Sequence, residues 1–216
     1  SEKLGIRLKE LFGIKNIHII PNVADTRYFN FVPQQPVKFR ILHASTMDHP
    51  KNVEGILAAL EHLKSIRTDW ECVMLGWDTP ALRKLSTDMG LDDHVTWKGV
   101  VSYQEVAAEM KNASVFVLFS RYENQPCVIL ESLCSGLPVI ATDVGGIPEI
   151  VNETNGILVK NSSDPQAHLT LLAAIIQCME QRGMFDRKAI ASDAQNIFSY
   201  DSVGRQFADL YDKYVE

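Results

Sequence analysis

Two glutamates eight positions apart bracket the most chemically suggestive stretch, Ser120-Arg121-Tyr122-Glu123-Asn124-Gln125-Pro126-Cys127-Val128-Ile129-Leu130-Glu131. A helix is predicted to start near Pro126, which puts Glu131 in its second turn. At ~1.5 Å per helical residue, the two carboxylates reach separate points on one ligand. The first amides of a helix have no intrahelical acceptor, and they favour an anion such as phosphate. This one segment therefore offers a carboxylate for sugar hydroxyls, amides for a diphosphate and a second carboxylate for a ribose diol. The plainer alternative is a solvated loop residue at Glu123 and an ion-paired helix residue at Glu131. Spacing alone does not separate the two.

A second segment follows, Ser135-Gly136-Leu137-Pro138-Val139-Ile140-Ala141-Thr142-Asp143-Val144-Gly145-Gly146-Ile147-Pro148-Glu149. Gly136 is placed to end the preceding helix, and a buried strand comes next. Gly145-Gly146 lets main chain approach a neighbour closely. A tight strand-to-helix connection and a ligand contact both fit that pair.

The elements that must position these residues alternate along the chain. Short apolar runs at 18–20, 39–43, 71–75, 94–97, 115–118, 139–141 and 157–159 read as strands. Several are continuous, as in strands covered on both faces. Between them, Val53, Ile56, Leu57, Leu60 and Leu63 mark one buried helical face. Thr79-Pro80 reads as an N-cap with proline in the first turn, and Ser102 with Glu105 as a capping box. Asp164-Pro165 is predicted to open a helix running to about Gln181, and the last helix is predicted over 202–215. Such alternation implies an α/β fold with a mostly parallel sheet. Ligands of such sheets bind at the carboxyl ends of the strands, near the topological switch point.

The bulk composition narrows the class. With 27 acidic and 21 basic residues the formal charge is -6, which argues against a nucleic-acid partner. The 216 residues, 46% hydrophobic and 22% charged, suit a globular domain. The apolar run at 169–176 is too short to cross a bilayer, and no signal peptide is visible, so the expected compartment is cytoplasmic. Cys72, Cys127, Cys134 and Cys178 form no C-x-x-C pair and read as reduced, packed thiols. The six histidines lack metal-ligand spacing and no D-x-D run occurs, so no metal site is expected. His43 and His49 are read as packing or surface residues. The chain begins with Ser1 and a helical stretch at 4–12, so the natural protein is expected to extend upstream.

From Ser120 to Val151 the sequence resembles the signature of glycosyltransferase family 4, whose fold is called GT-B. Glu123 and Glu131 match the E-x7-E pair of that family, and Gly136 to Glu149 match its glycine-leucine-proline-valine strand and glycine-glycine-isoleucine-proline-glutamate turn. Ile20-Pro21-Asn22-Val23-Ala24-Asp25-Thr26-Arg27-Tyr28-Phe29 is similar to the family's interdomain lead-in, and Trp97-Lys98-Gly99-Val100 to its base-contacting turn. The resemblance implies a Rossmann-like, mostly parallel sheet with helices on both faces, the C-terminal half of a retaining GT-B enzyme. Residues 1–216 would form one donor-binding domain, with a lead-in over 1–30 and a crossing helix over 200–216. The N-terminal acceptor domain would be absent from this chain.

What the resemblance implies for single residues follows. Glu131 would accept from ribose hydroxyls and Glu123 from hydroxyls of the transferred sugar. The amides of Gln125, Pro126, Cys127 and Val128 would lie against sugar and diphosphate. Gly99 and Val100 would meet the base through main chain, and Lys51 would neutralise the leaving diphosphate. Ser45 and Thr46 would line the same phosphate loop. The donor would be a UDP- or GDP-sugar, with no cofactor or metal required. A saccharide or lipid-linked acceptor would come through the other domain, with peripheral membrane association of the full-length enzyme.

Two departures from the family pattern stand out. Thr46 occupies the position of an arginine expected about five residues before Lys51. It supplies a hydrogen bond but no charge, and Arg121 or Lys98 are the candidates to replace that cation. Asn124-Gln125-Pro126 stands where glycine-phenylalanine-glycine is usual, which reshapes the sugar pocket. The fragment alone is expected to bind donor weakly and to transfer nothing. The alternatives are a degenerate module that binds a nucleotide sugar without catalysis and a sugar-nucleotide epimerase of the same fold.

Overall fold

A computed structural model describes residues 1–33, 36–160 and 166–214. Six strands, β1 (Phe39–Ser45), β2 (Trp70–Gly76), β3 (Val95–Gly99), β4 (Val115–Leu118), β5 (Val139–Thr142) and β6 (Gly156–Val159), form one sheet in the order β3-β2-β1-β4-β5-β6. Every neighbouring pair is parallel. Strand period two sends alternate residues to opposite faces. Ile41, Cys72, Met74, Val115 and Val117 join one core, while Leu42, Val73, Leu75, Phe116 and Leu118 join the other. Both faces are buried, which explains why these strands read as unbroken apolar runs.

Helices cover both faces. α2 (Val53–Ile66), α3 (Pro80–Asp88) and α6 (Ala167–Glu180) pack on the first core. α4 (Tyr103–Lys111), α5 (Cys127–Cys134) and α7 (Arg187–Phe198) pack on the second. The predicted face of α2 is the buried one, with Val53, Ile56, Leu57, Leu60 and Leu63 inside. Thr79 caps α3, and Ser102 and Glu105 form the reciprocal capping box on α4. α1 (Glu2–Phe12) is capped from a distance. Glu149 accepts from the amides of Glu2 and Lys3 at 2.8 and 3.0 Å, a carboxylate on the positive end of a helix.

The strand expected at 18–20 is not formed. The segment is irregular, because no strand among the described residues lies beside it to pair its main chain. Ile17 and Ile19 instead pack at Gly5 of α1. The final helix, α8 (Tyr200–Tyr214), starts two positions before its expected start. The helix start expected at Asp164-Pro165 and the helix end expected at Val215 lie outside the described residues. No described helix is long and apolar enough to cross a membrane. The four cysteines are free thiols, three of them buried and Cys127 exposed.

Candidate functional site

The sheet reverses direction between β1 and β4. From β1 the chain moves outward to β2 and β3, and from β4 it moves the other way. At such a point the loops leaving two adjacent strands diverge and open a crevice. Lys51 lies on the loop after β1, and Glu123 on the loop after β4. Lys51 Nζ donates to Glu123 Oε1 at 2.6 Å, across that crevice. Ser120 Oγ donates to the same oxygen at 2.8 Å. Glu123 Oε2 has no hydrogen-bond partner among the described residues. The two side chains are 21% and 9% exposed, so the pair is shielded but not sealed.

The predicted glycine turn supports this loop from below. A Cβ on Gly145 would lie 1.6 Å from the Glu123 carbonyl oxygen, and one on Gly146 would lie 2.2 Å from that of Asn124. Gly146 N–H donates to the Asn124 carbonyl at 2.9 Å. The close approach serves the main chain that carries Glu123. Gly145 also has φ of 54°, a region that favours glycine.

Glu131 projects from α5 into a drier setting. It is 9% exposed. Tyr103 O–H donates to its Oε1 at 2.9 Å, and its Oε2 takes no hydrogen bond among the described residues. Burial pushes its carboxyl above the usual carboxylate range, and the Tyr103 hydrogen bond pulls it back in part. A free acceptor oxygen on a partly desolvated acid is suited to a diol. At the start of α5, Ile129 N–H is taken by the Pro126 carbonyl, whereas Cys127 and Val128 amides have no main-chain acceptor among the described residues. Pro126 is the N-cap and, having no N–H, corrects the expectation that it adds a donor. Gln125 is committed too. Its side-chain oxygen accepts from Asn22 N–H at 2.7 Å, and its carbonyl accepts from Asn22 Nδ2 at 3.0 Å.

The loop after β1 is held by a buried relay. His43 is fully buried, and its Nδ1 lies 2.9 Å from the Val117 carbonyl. A carbonyl only accepts, so Nδ1 carries the proton, and in the neutral ring Nε2 then accepts. Nε2 lies 2.7 Å from Ser45 Oγ, which therefore donates to it. Ser45 Oγ in turn accepts from Met47 N–H at 2.9 Å. Burial drives the imidazole pKa down to about 4, so the ring is neutral, and the bonds then set which nitrogen carries the proton. Met47 and Asn52 both hold positive φ, 55° and 49°, the only such non-glycine residues among those described. Strained main chain of this kind persists where the surroundings over-determine it.

The two cations offered in place of the missing arginine are engaged elsewhere. Lys98 pairs with Glu109 at 2.6 Å. Arg121 clamps the turn before α2, donating from Nε to the His49 carbonyl at 3.1 Å and from Nη2 to Asn52 Oδ1 at 2.7 Å. Among the described residues Lys51 is the one cation on Glu123. Thr46 is exposed and lines a small cleft with Ser45, Trp77 and Val100. Gly99 closes β3 with φ of 69°, and Val100 beyond it is 66% exposed, its main-chain groups unpaired with other main chain among the described residues. The cleft measures about 210 Å³. A larger cavity of about 480 Å³ lies at the amino-terminal ends of the strands, lined by Phe39, Pro138 and Met184, and touches none of Lys51, Glu123, Glu131 and Val100.

Sequence reasoning missed Tyr103, Ser120 and Asn22, and read His43 only as a packing or surface residue. Each acts through a partner remote in sequence or across a turn, and none carries a local spacing signal. The capping box at Ser102 fixes where α4 starts, and so aims Tyr103, but it does not name Glu131 as the target.

A parallel Rossmann-like sheet thus carries paired charges, helix-start amides and a second acid at its switch point, an arrangement able to hold an anionic, hydroxyl-rich ligand. The chain belongs to the family described as Glycosyl transferases group 1, which matches residues 26–192. It is 27% identical over 210 residues to the MMP alpha-(1->4)-mannosyltransferase of Mycolicibacterium hassiacum, covering 93% of this chain and 49% of that protein. The chain thus spans about half the length of the curated relatives it matches. Its fold is similar to sucrose-phosphate synthase from Thermosynechococcus elongatus, at TM-score 0.86 and 22% identity, over 99% of this chain and 56% of that one. It is also similar to Anabaena HepE solved with UDP and glucose, at TM-score 0.77 and 19% identity, over 91% and 57%. The expected α/β class, a parallel Rossmann-like sheet matching GT-B glycosyltransferases, is the observed one.

Proposed function

We propose that this chain is the donor-binding, C-terminal half of a retaining family 4 glycosyltransferase. It holds a nucleotide-diphosphate sugar for transfer to an acceptor on an N-terminal domain. The observation that carries this reading is the Lys51–Glu123 pair at 2.6 Å across the switch point, beside the amides of Cys127 and Val128, which have no main-chain acceptor among the described residues. In the reaction the bond from the sugar's anomeric carbon to the diphosphate breaks, and a bond from that carbon to an acceptor oxygen forms. The acceptor loses a proton, and charge builds on the departing phosphate. Preorganised amides and an ammonium stabilise such charge without moving. Glu123 Oε2 is available to a hydroxyl of the transferred sugar and Glu131 Oε2 to the ribose. Val100, just past the end of β3 at Gly99, offers main chain to the base. UDP in the Anabaena structure supports a nucleotide donor, with UDP- and GDP-sugars both retained as candidates. The acceptor is a saccharide or a lipid-linked one, and the compartment proposed is the cytoplasm, with membrane contact through the whole enzyme.

Calorimetric titration of the chain with UDP, GDP and their sugars tests this. One of them is expected to bind weakly, with no transfer by the chain alone. Binding by none of them rejects the reading. A second reading, a module that binds donor without transferring it, is favoured by one observation: among the described residues no second cation joins Lys51, because Lys98 and Arg121 are engaged elsewhere. Acceptor-dependent transfer by the full-length protein excludes it.

A further inference from the structure

The loop after β2 presents a side chain that neither the motif match nor the paired charges explain. Trp77 is 67% exposed, whereas Trp70 is buried at 1% and Trp97 packs against the core. The loop that carries it is held firmly on both sides. Gly76 has φ of 133°, and a Cβ there would lie 1.8 Å from the Ser45 carbonyl oxygen, so the end of β2 is pressed onto the end of β1. Asp78 N–H donates to the Gly76 carbonyl at 3.0 Å, and its carboxylate accepts from Arg83 Nε on α3. Thr79 Oγ1 then caps α3 at 3.2 Å. An indole on a pinned loop is preorganised, and covering its face with another ring is favourable.

Its position says which part of a ligand it meets. Trp77 and Val100, both about two-thirds exposed, line one cleft with Ser45 and Thr46 at the carboxyl ends of β1, β2 and β3. The Lys51–Glu123 pair sits between the loops of β1 and β4. Strands lie ~4.8 Å apart, so the cleft begins about one to two strand spacings from the charged pair. A ligand laid across the strand ends with its phosphates at Lys51 carries its far end into that cleft.

We propose that Trp77 is the stacking platform for the nucleobase of the donor, with the main chain of Gly99–Val100 left to meet the base edge. This rests on the donor-site reading above. Stacking recognises any planar base, so Trp77 sets affinity for nucleosides as a class.

The test is fluorescence and calorimetric titration of the chain and its W77F and W77A variants with UDP, GDP and inorganic pyrophosphate. Trp77 lies outside the core, so both variants should keep the fold, and a circular dichroism melt checks this. Nucleoside diphosphates are expected to quench indole emission in the parent chain, and the quench should vanish in W77F. Their affinity should fall about tenfold in W77A and stay within about threefold in W77F, in line with base–aromatic stacking at other sites. Pyrophosphate affinity should be the same in all three. Equal binding of UDP and GDP by W77A and the parent chain overturns the platform while leaving the donor site standing. A parent chain that binds neither nucleotide overturns the donor-site reading, and the platform with it.

Discussion

Lys51 Nζ and Glu123 Oε1 lie 2.6 Å apart, yet one belongs to the loop after β1 and the other to the loop after β4. The contact closes the switch point of the sheet with a pair of opposite charges, both largely shielded from water. Removing one partner strands the other in a site that does not solvate it well. Lys51→Ala is therefore expected to destabilise the chain by about 1–3 kcal/mol and to abolish affinity for nucleoside diphosphates. Glu123→Gln keeps a hydrogen-bonding group for Lys51 and Ser120, so its melting temperature should fall less. Transfer by the full-length enzyme should still be lost. Thermal melts and calorimetry on the two variants check this; a Lys51→Ala chain that binds UDP and GDP like the parent would move the phosphates elsewhere.

Glu131 makes a prediction about pH. Burial holds its carboxyl above the ordinary 4.5. The native state then binds that proton more tightly than the unfolded chain does. Its contribution to stability is present at pH below about 4.5 and is lost as pH rises through the raised value. Glu131→Gln has no proton to lose and keeps an acceptor for Tyr103. The variant should gain melting temperature relative to the parent at pH 7.5 but not at pH 4. It should also bind nucleotide more weakly, since an amide oxygen is a poorer acceptor for a ribose hydroxyl. Parallel melts at the two pH values decide it.

His43 runs the opposite way. Its pKa is driven down to about 4 by burial, against an ordinary 6.5. The neutral ring is the native form, so its stabilising contribution is complete above pH 6.5 and is lost as pH falls toward 4. Imidazole nitrogen shifts in a labelled chain should report a proton on Nδ1 and none on Nε2 throughout pH 5–8. Ser45→Ala leaves Nε2 a buried acceptor without a donor and releases the Met47 amide. A loss of about 1–3 kcal/mol is expected, from chemical denaturation at pH 7.

Gly145 and Gly183 form a matched pair of probes. Both hold positive φ, but a Cβ on Gly183 meets nothing within 4 Å, whereas one on Gly145 meets the Glu123 carbonyl at 1.6 Å. Gly183→Ala should cost about 1 kcal/mol for its backbone alone. Gly145→Ala should cost on the order of 3 kcal/mol and, by displacing Glu123, remove transfer as well. If the two variants melt together, the close approach at Gly145 is not what sets the loop.

Local signals made much of this fold readable. The four inner strands β2, β1, β4 and β5 announce themselves as apolar runs because both faces are covered, and the caps at Thr79 and Ser102 are written within four residues of the helices they start. Glu123 and Glu131 could be found because the acids and the glycine turn sit in one continuous stretch. The failure at 18–20 has a physical cause: apolar residues make a strand only if another strand is beside them, and residue type does not report that. What Lys98, Arg121 and Gln125 bind was equally hidden. Each is settled by a partner brought close by topology, with Arg121 meeting Asn52 and Gln125 meeting Asn22.

The two hydrogen bonds between Asn22 and Gln125 have a mechanical outcome. They stitch the incoming chain to the loop that carries Glu123, with no intervening secondary structure to absorb slack. Ala24 N–H is meanwhile anchored to the Phe198 carbonyl at 2.9 Å, which gives the stretch a fixed pivot. A pull on residues 17–22 therefore arrives at Gln125 as a tug, two positions from the acid and next to the start of α5. The placement of residues 17–22 and that of the loop carrying Glu123 are thereby tied to each other.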